Sequence, residues 1–215
     1  MAERKLTPRD EFDKALAERA VRFGVELDEV ARARLGDYFE LVAAWSPRLH
    51  LVAPCAPAEF AARHVLESLT ALPFIRDGST LLDVGTGAGL PAIPCLAVRH
   101  DLKAVLVEAS QKKSVFLREA LSRLGLSERA RVVAERFEKF EPPAADCLTC
   151  RAIERFTEIL PALVAWAARV PMLLLFGGEN LQERLEADGL AFEIVRVPES
   201  ERRFLFIVER SVKGS

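Results

Sequence analysis

A chain of 215 residues is long enough for one α/β domain with a small extension and can bury a substantial core. Half of its residues are hydrophobic and 29% are charged, which excludes a disordered chain. The net charge of −2 supplies no global field toward nucleic acid, so RNA binding has to rest on a local basic patch, and no apolar run reaches the roughly 18 to 20 residues that span a bilayer.

The first residues, Met1 to Lys5, lead into Thr7-Pro8-Arg9-Asp10 without the apolar core of a signal peptide, so a cytoplasmic location and no membrane partner are expected. Thr7 to Asp10 has the form of a capping box with proline at the first helical position. Phe12, Leu16, Ala20 and Phe23 follow at helical spacing, and Gly24 stops that helix. Asp28 caps a second helix whose apolar stripe includes Val30, Leu35, Phe39, Val42 and Trp45, with Ser46-Pro47 predicted to end it. Pro57 opens a third, carrying Phe60, Val65, Leu69 and Leu72. Residues 1–75 therefore read as a helical extension, and 76–215 as a separate α/β domain.

From Thr80 strands alternate with helices. Leu81 to Val84 is a strand, then a glycine turn and an apolar helix to Val98; Ala104 to Val107 is a second strand ending at Glu108. A helix from Lys112 to Leu124, with Val115, Phe116, Ala120 and Leu121 on its buried side, precedes short strands at Arg131 to Val133 and Asp146 to Cys150. A helix over 154–168, a fully apolar strand from Met172 to Phe176, a helix from Glu179 to Ala187 and two final strands complete the chain. The alternation predicts a mostly parallel sheet with helices on both faces, and the last pair an antiparallel edge.

Cys147 and Cys150 have the spacing of a metal or redox pair, but on a strand, side chains three apart point to opposite faces. With Cys55 and Cys95 the only other cysteines and three histidines in the chain, no metal site is expected.

Most of the functional information lies in Asp83-Val84-Gly85-Thr86-Gly87-Ala88-Gly89-Leu90-Pro91. Gly85, Gly87 and Gly89 permit a tight strand-to-helix turn and close approach of a ligand to the backbone. A dinucleotide fold asks for glycine at position 90, where this chain has leucine. Asp83 suits a cationic ligand better than a pyrophosphate, and Glu108, 23 residues after Gly85, ends the next strand where a carboxylate can accept both hydroxyls of a ribose. Together these predict an S-adenosylmethionine site, with NAD as the competing ligand.

With the turn included, the series Trp45, Arg63-His64, Glu67-Ser68, Asp83 to Pro91, Lys112-Lys113, Phe116-Leu117, Arg136-Phe137-Glu138 and Cys150-Arg151-Ala152 resembles the glucose-inhibited division protein B family, bacterial methyltransferases acting on guanine N7 of 16S ribosomal RNA. The resemblance runs from Tyr38 to Gly178. It implies a Rossmann-like S-adenosylmethionine-dependent methyltransferase fold and a small-subunit ribosomal RNA or 30S particle as partner; a monomer is expected. It further implies cofactor contacts at Gly85 and Leu90, an adenine site at Phe137 and Glu138, and Arg151 at the active-site edge. A backbone N–H beside the Phe137 ring can hold adenine N1, and the Glu138 carboxylate can accept from its amine. Arg151 and Arg136 are the expected catalytic pair, positioning the guanine or its phosphate, and Lys112, at a helix start where the macrodipole disfavours a cation, is expected to bind substrate with Arg151. Lys113 and Arg155 join them as expected RNA contacts. A salt bridge from Arg151 to Glu154 or Glu138 is the competing structural role, and His64 reads as a packing residue.

The chain departs from the family pattern at Ser46, His50, Glu67 and Ala92, and Phe176-Gly177-Gly178 carries no lysine. These departures fall on the side expected to meet RNA. Two other readings therefore stand beside rRNA methylation: the same chemistry on another substrate, and a non-catalytic cofactor-binding assembly factor.

Overall fold

Capping chemistry starts the first helix where the spacing predicts. In the computed structural model, which describes residues 6–151 and 156–210, the Thr7 hydroxyl accepts from Asp10 N–H at 3.1 Å and the Asp10 carboxylate accepts from Thr7 N–H at 2.9 Å. Helix α1 (Pro8–Arg19) runs into a 3₁₀ turn that ends on Gly24 at φ 68°. Asp28 accepts from Ala31 N–H at 2.7 Å and begins α2 (Glu29–Leu49). Pro57 opens α3 (Pro57–Phe60), which continues through a π-helical turn (Ala61–Leu66) into α4 (Glu67–Leu69).

The rest alternates as expected: β1 (Thr80–Val84), α5 (Ala92–Val98), β2 (Lys103–Val107), α6 (Gln111–Arg123), β3 (Ala130–Val133), β4 (Cys147–Arg151), α7 (Phe156–Trp166), β5 (Met172–Gly177), α8 (Glu179–Ala187), β6 (Glu193–Arg196) and β7 (Phe204–Glu209). The start expected for the seventh helix at Glu154 lies outside the described residues. The strands form one sheet in the order β3-β2-β1-β4-β5-β7-β6. β1 to β5 are parallel, and β7 enters antiparallel to β5, with β6 paired outside it. This is the Rossmann-like arrangement with its antiparallel edge, and it brings the carboxyl ends of β1, β2 and β4 side by side, where open α/β sheets bind ligands.

Alternation along the strands divides the core in two. Leu81, Leu106 and Cys147 face a layer made by α5, α6 and the N-terminal helices, whereas Leu82, Val107 and Cys150 face α7 and α8. Cys147 and Cys150 thus lie on opposite faces, as strand geometry requires, and burial pushes both thiols up. Phe12, Tyr38 and Phe60 belong to the same apolar cluster as Ile93 and Phe116, so a continuous core crosses position 75. Among the described residues no helix is long and apolar enough to cross a membrane.

Three local expectations are corrected. Ser46-Pro47 does not end α2, which continues to Leu49 and terminates on His50 at φ 48°. A proline this near the end costs one backbone bond, and the helix resumes with His50 N–H donating to the Ser46 carbonyl at 2.8 Å. Val30 is 55% exposed, because Ala31, in phase with Leu35, Tyr38 and Val42, takes the buried place in the first turn. Val115 is 53% exposed for the same reason: Ser114, Phe116 and Leu117 supply the buried face of α6.

The helical layer also touches the glycine turn directly. Tyr38 on α2 is fully buried, and its hydroxyl donates to the Ala88 carbonyl at 2.9 Å. Tyr38→Phe leaves that carbonyl buried without its donor and should cost about 1 to 3 kcal/mol of stability, read as a lowered urea midpoint. An unchanged midpoint would mean that the turn does not rely on α2.

Candidate functional site

The site begins with three glycines in the left-handed region, at φ 69° for Gly85, 56° for Gly87 and 93° for Gly89. At Gly89 a Cβ would also lie 2.3 Å from the Ile93 side chain, so the residue is required twice over. Gly85 and Thr86 N–H groups both donate to the Val107 carbonyl, at 2.9 and 3.3 Å, tying the turn to the end of β2.

Two carboxylates hold the turn from different sides. Asp83 is fully buried beneath it; its carboxylate accepts from the Thr86 hydroxyl and, at 2.8 Å, from the Thr149 hydroxyl of β4. Burial, with a smaller push from the Glu108 charge, raises its pKa to about 7 against the pull of those hydrogen bonds. Glu108 Oε2 accepts from Gly87 N–H at 2.9 Å and Oε1 from Ser110 N–H at 2.8 Å. Ser110 in turn caps α6.

Two adjoining cavities open at this edge. The larger, about 790 Å³, is lined by Gly85, Gly87, Leu90, Glu108, Lys113, Arg136 and Arg151, among others. The smaller, about 170 Å³, is lined by Val84, Val107, Phe137, Glu138 and Ile159, among others, and shares Gly85, Ala109 and Arg136 with the first. A combined cleft of this kind falls in the usual range for a small-molecule site, of order 300 to 1,000 Å³. Phe137 is buried edge-on to Trp166 at 5.4 Å, and the Trp166 indole donates to the Phe140 carbonyl, which steadies the apolar wall.

Most of the residues expected from the sequence meet here, with informative exceptions. Asp83 and Gly89 line neither cavity: the carboxylate that was expected to face a cation is instead the turn's buried support. Lys112 is exposed outside the cleft, and Lys113 lines it, a one-residue step of about 100° around α6 that an end-of-helix argument does not resolve. Arg136 is exposed and paired to Glu138 at 3.0 Å, which holds that carboxyl below its ordinary range. Arg155 and Glu154 lie outside the described residues.

Of the two partners expected for Arg151, Glu154 lies outside the described residues and Glu138 is paired to Arg136 instead. The Arg151 side chain is only 11% exposed and is ion-paired to Glu67 at 3.3 Å. It also donates to the Arg63 carbonyl at 2.6 Å and to the His64 carbonyl and Ser68 hydroxyl at 3.2 Å each. His64 does pack, against Phe60 with ring centroids 5.1 Å apart, but its Nδ1 also lies 3.3 Å from Arg151. Burial and the charges of Arg151, Arg63 and Arg203 push its pKa down to about 3, so the ring is neutral. Sequence reasoning missed Thr149 and Arg203 altogether and gave Ser68 no role of its own, because each acquires its role through a contact distant in the chain. Among the described residues no group of three His, Cys, Asp or Glu side chains is arranged to hold a metal.

The Asp83 carboxyl gives a pH signature. With its pKa raised from 3.8 to about 7, it holds its proton longer in the folded than in the unfolded chain. Its contribution to stability is therefore fully present below 3.8 and is lost as pH rises through about 7. Urea unfolding of the unmodified chain and Asp83→Asn across that interval should show their stability difference moving against the unmodified chain as pH rises. A difference independent of pH would mean that Asp83 is ionised throughout.

The family model GidB, described as rRNA small subunit methyltransferase G, matches residues 31–205. The ribosomal RNA small subunit methyltransferase G of Sorangium cellulosum is 38% identical over 187 residues, covering 84% of this chain and 76% of the relative. That of Anaeromyxobacter dehalogenans is 38% identical over 186 residues, covering 84% and 85%. Among solved structures, a SAM-dependent methyltransferase from Aquifex aeolicus shares the fold, with a TM-score of 0.54 and 20% identity over 80% of this chain and 97% of that one.

Proposed function

Since the chain belongs to the rRNA small subunit methyltransferase G family, we propose that it transfers a methyl group from S-adenosylmethionine to N7 of a guanine in 16S ribosomal RNA of the small subunit. The observation that carries this reading is the buried Glu108 carboxylate, pinned to Gly87 at the mouth of a cleft that continues into an apolar slot beside Phe137. The residues present fit the cofactor. A carboxylate offers about four acceptor positions, so Glu108 can hold Gly87 and Ser110 and still accept from ribose hydroxyls. Val84, Val107, Phe137 and Ile159 offer an apolar slot for adenine, with Glu138 in its lining for the exocyclic amine. Leu90 occupies the place where a pyrophosphate-binding turn would need glycine, which favours an adenosyl amino acid over NAD. When bound, the cofactor supplies an electrophilic methyl group.

Guanine N7 carries an in-plane lone pair and no proton, so the reaction needs alignment rather than a general base. The cleft is consistent with that demand. Asp83 is sealed beneath the turn, and His64 is neutral and tied to Arg151. Lys113, Arg136 and Arg151 line the larger cavity and offer positive charge toward a phosphate or the guanine O6 edge. Arg151, its Nη1 and Nη2 donors turned to His64, Ser68 and Arg63, orients the acceptor base from a fixed position. The RNA supplies the partner that a chain of net charge −2 can meet only through such a local patch.

Labelled adenosylmethionine and isolated small subunits test the reading: radioactivity should appear in the small-subunit RNA and digest to 7-methylguanine. Binding of the cofactor with no transfer would establish the non-catalytic assembly factor instead, and transfer to another base or to protein would remove the guanine assignment. Glu108→Ala should weaken adenosylmethionine binding by about 1.5 to 3 kcal/mol by calorimetry, the scale of a charged hydrogen bond. Undiminished affinity in a folded variant, or tight NAD binding by the unmodified chain, would overturn the cofactor site.

A further inference from the structure

Among the described residues Glu67 is the most deeply buried carboxylate outside the glycine turn, its side chain 4% exposed, and it lies between two guanidinium groups. Oε1 is 3.3 Å from Arg151 Nη2 at the end of β4, and Oε2 is 3.1 Å from Arg203 Nε in the segment before β7. The second contact lacks hydrogen-bond alignment, so it is an ion pair only. Arg203 is steadied in turn by the Ser200 hydroxyl at 3.2 Å. One carboxylate therefore joins α4 to the end of β4 and to the segment before β7.

The backbone around Glu67 is built for the same guanidinium. In the π-helical turn Ala61–Leu66 the Glu67 N–H reaches back five residues to the Ala62 carbonyl. The next two carbonyls, of Arg63 and His64, accept from Arg151 Nη2 and Nη1. Ser68 donates to the His64 carbonyl at 2.5 Å and accepts from Arg151 at 3.2 Å. Both ends of the guanidinium fork are thus directed by one helical turn, in a residue that lines the cleft.

We propose that Glu67 is a positioning residue for methyl transfer, fixing the Arg151 fork in the cleft and balancing it against Arg203. The inference rests on the reading of the cleft as a methyl-transfer site. Burial holds the Glu67 carboxyl above its ordinary range even though Arg151, Arg203 and Arg63 oppose that shift. A buried ion pair of this kind adds little net stability over an apolar replacement, and what it supplies is orientation. Glutamine at position 67 keeps the size and one acceptor but leaves two guanidinium groups facing a neutral partner.

The test compares the unmodified full chain with Glu67→Gln, Glu67→Asp, Arg151→Gln and the double variant Glu67→Gln/Arg151→Gln. Glu67→Gln should slow single-turnover transfer to small subunits by about 10-fold or more, while adenosylhomocysteine affinity changes by less than about 3-fold. Glu67→Asp, which keeps the charge, should recover most of the rate, and the double variant should be no slower than Arg151→Gln alone. Independently of activity, nitrogen-15 NMR of the unmodified chain should show slow Nε–Cζ rotation for Arg151, lost in Glu67→Gln. The proposal is overturned by a Glu67→Gln rate equal to the unmodified one, by equal losses of rate and cofactor affinity, or by losses that multiply in the double variant. Free rotation of Arg151 in the unmodified chain overturns it even where Glu67→Gln does not fold. A chain that methylates no ribosomal RNA would strike the function reading and leave the NMR result to decide this one.

Discussion

Three glycines within five residues, all at positive φ, cannot hold a single shape by themselves, because the freedom that lets them adopt it also lets them leave it. The whole site depends on how that freedom is removed. Asp83 fixes the turn from below through Thr86 and Thr149, the Val107 carbonyl fixes its entry, Glu108 fixes Gly87, and Tyr38 fixes Ala88. These partners come from β1, β4, the end of β2 and α2. The turn is thus the point where the sheet and the helical layer are joined, and its shape is a property of the fold as a whole.

The two acidic residues that the sequence offered as ligands divide the work according to depth. Both approach the turn, but Asp83 faces into the core and so is pushed toward its neutral form, while Glu108 reaches the cleft mouth with its charge satisfied by backbone N–H groups. A carboxylate pinned at two N–H groups needs no reorganisation to accept further donors, which is the condition for a preformed site. The basic side of the cleft follows the same rule. Arg151 and Arg203 share one buried carboxylate, and Arg136 shares Glu138, so little of the positive charge is loose.

Much of this is legible in the sequence, and most of what escaped has one cause. Period and capping located Thr7, Asp28, Gly24 and the strands, because those signals act within a few residues. The glycine turn and Glu108 were recoverable because their spacing is set by one βαβ unit. What escaped depends on contacts between distant segments. Nothing near Arg151 announces Glu67, 84 positions earlier, and the strand-end argument could place the arginine at the cleft but not name its partner. Which of Lys112 and Lys113 lines the cleft turns on rotation about a helix axis, and Ser46-Pro47 does not end α2 because a proline in a last turn breaks only one bond.

The division into a helical extension and an α/β domain, natural from the change of period near Thr80, does not describe how the cleft is made. Helix α2 supplies the Tyr38 hydroxyl to the turn; the loop after it lines the larger cavity through His50 to Pro54; the π-helical turn and α4 supply the acceptors that hold Arg151. The sheet alone would offer the turn and the carboxylates on one side, with Arg151 lacking the groups that aim it. A π-helical turn widens the backbone and shifts its hydrogen-bond register, and here that shift coincides with the carbonyls that face the guanidinium. The N-terminal helices are therefore one wall of the site. Their packing against α5 and α6 is what converts a general methyltransferase-type sheet edge into a cleft with an oriented cationic side.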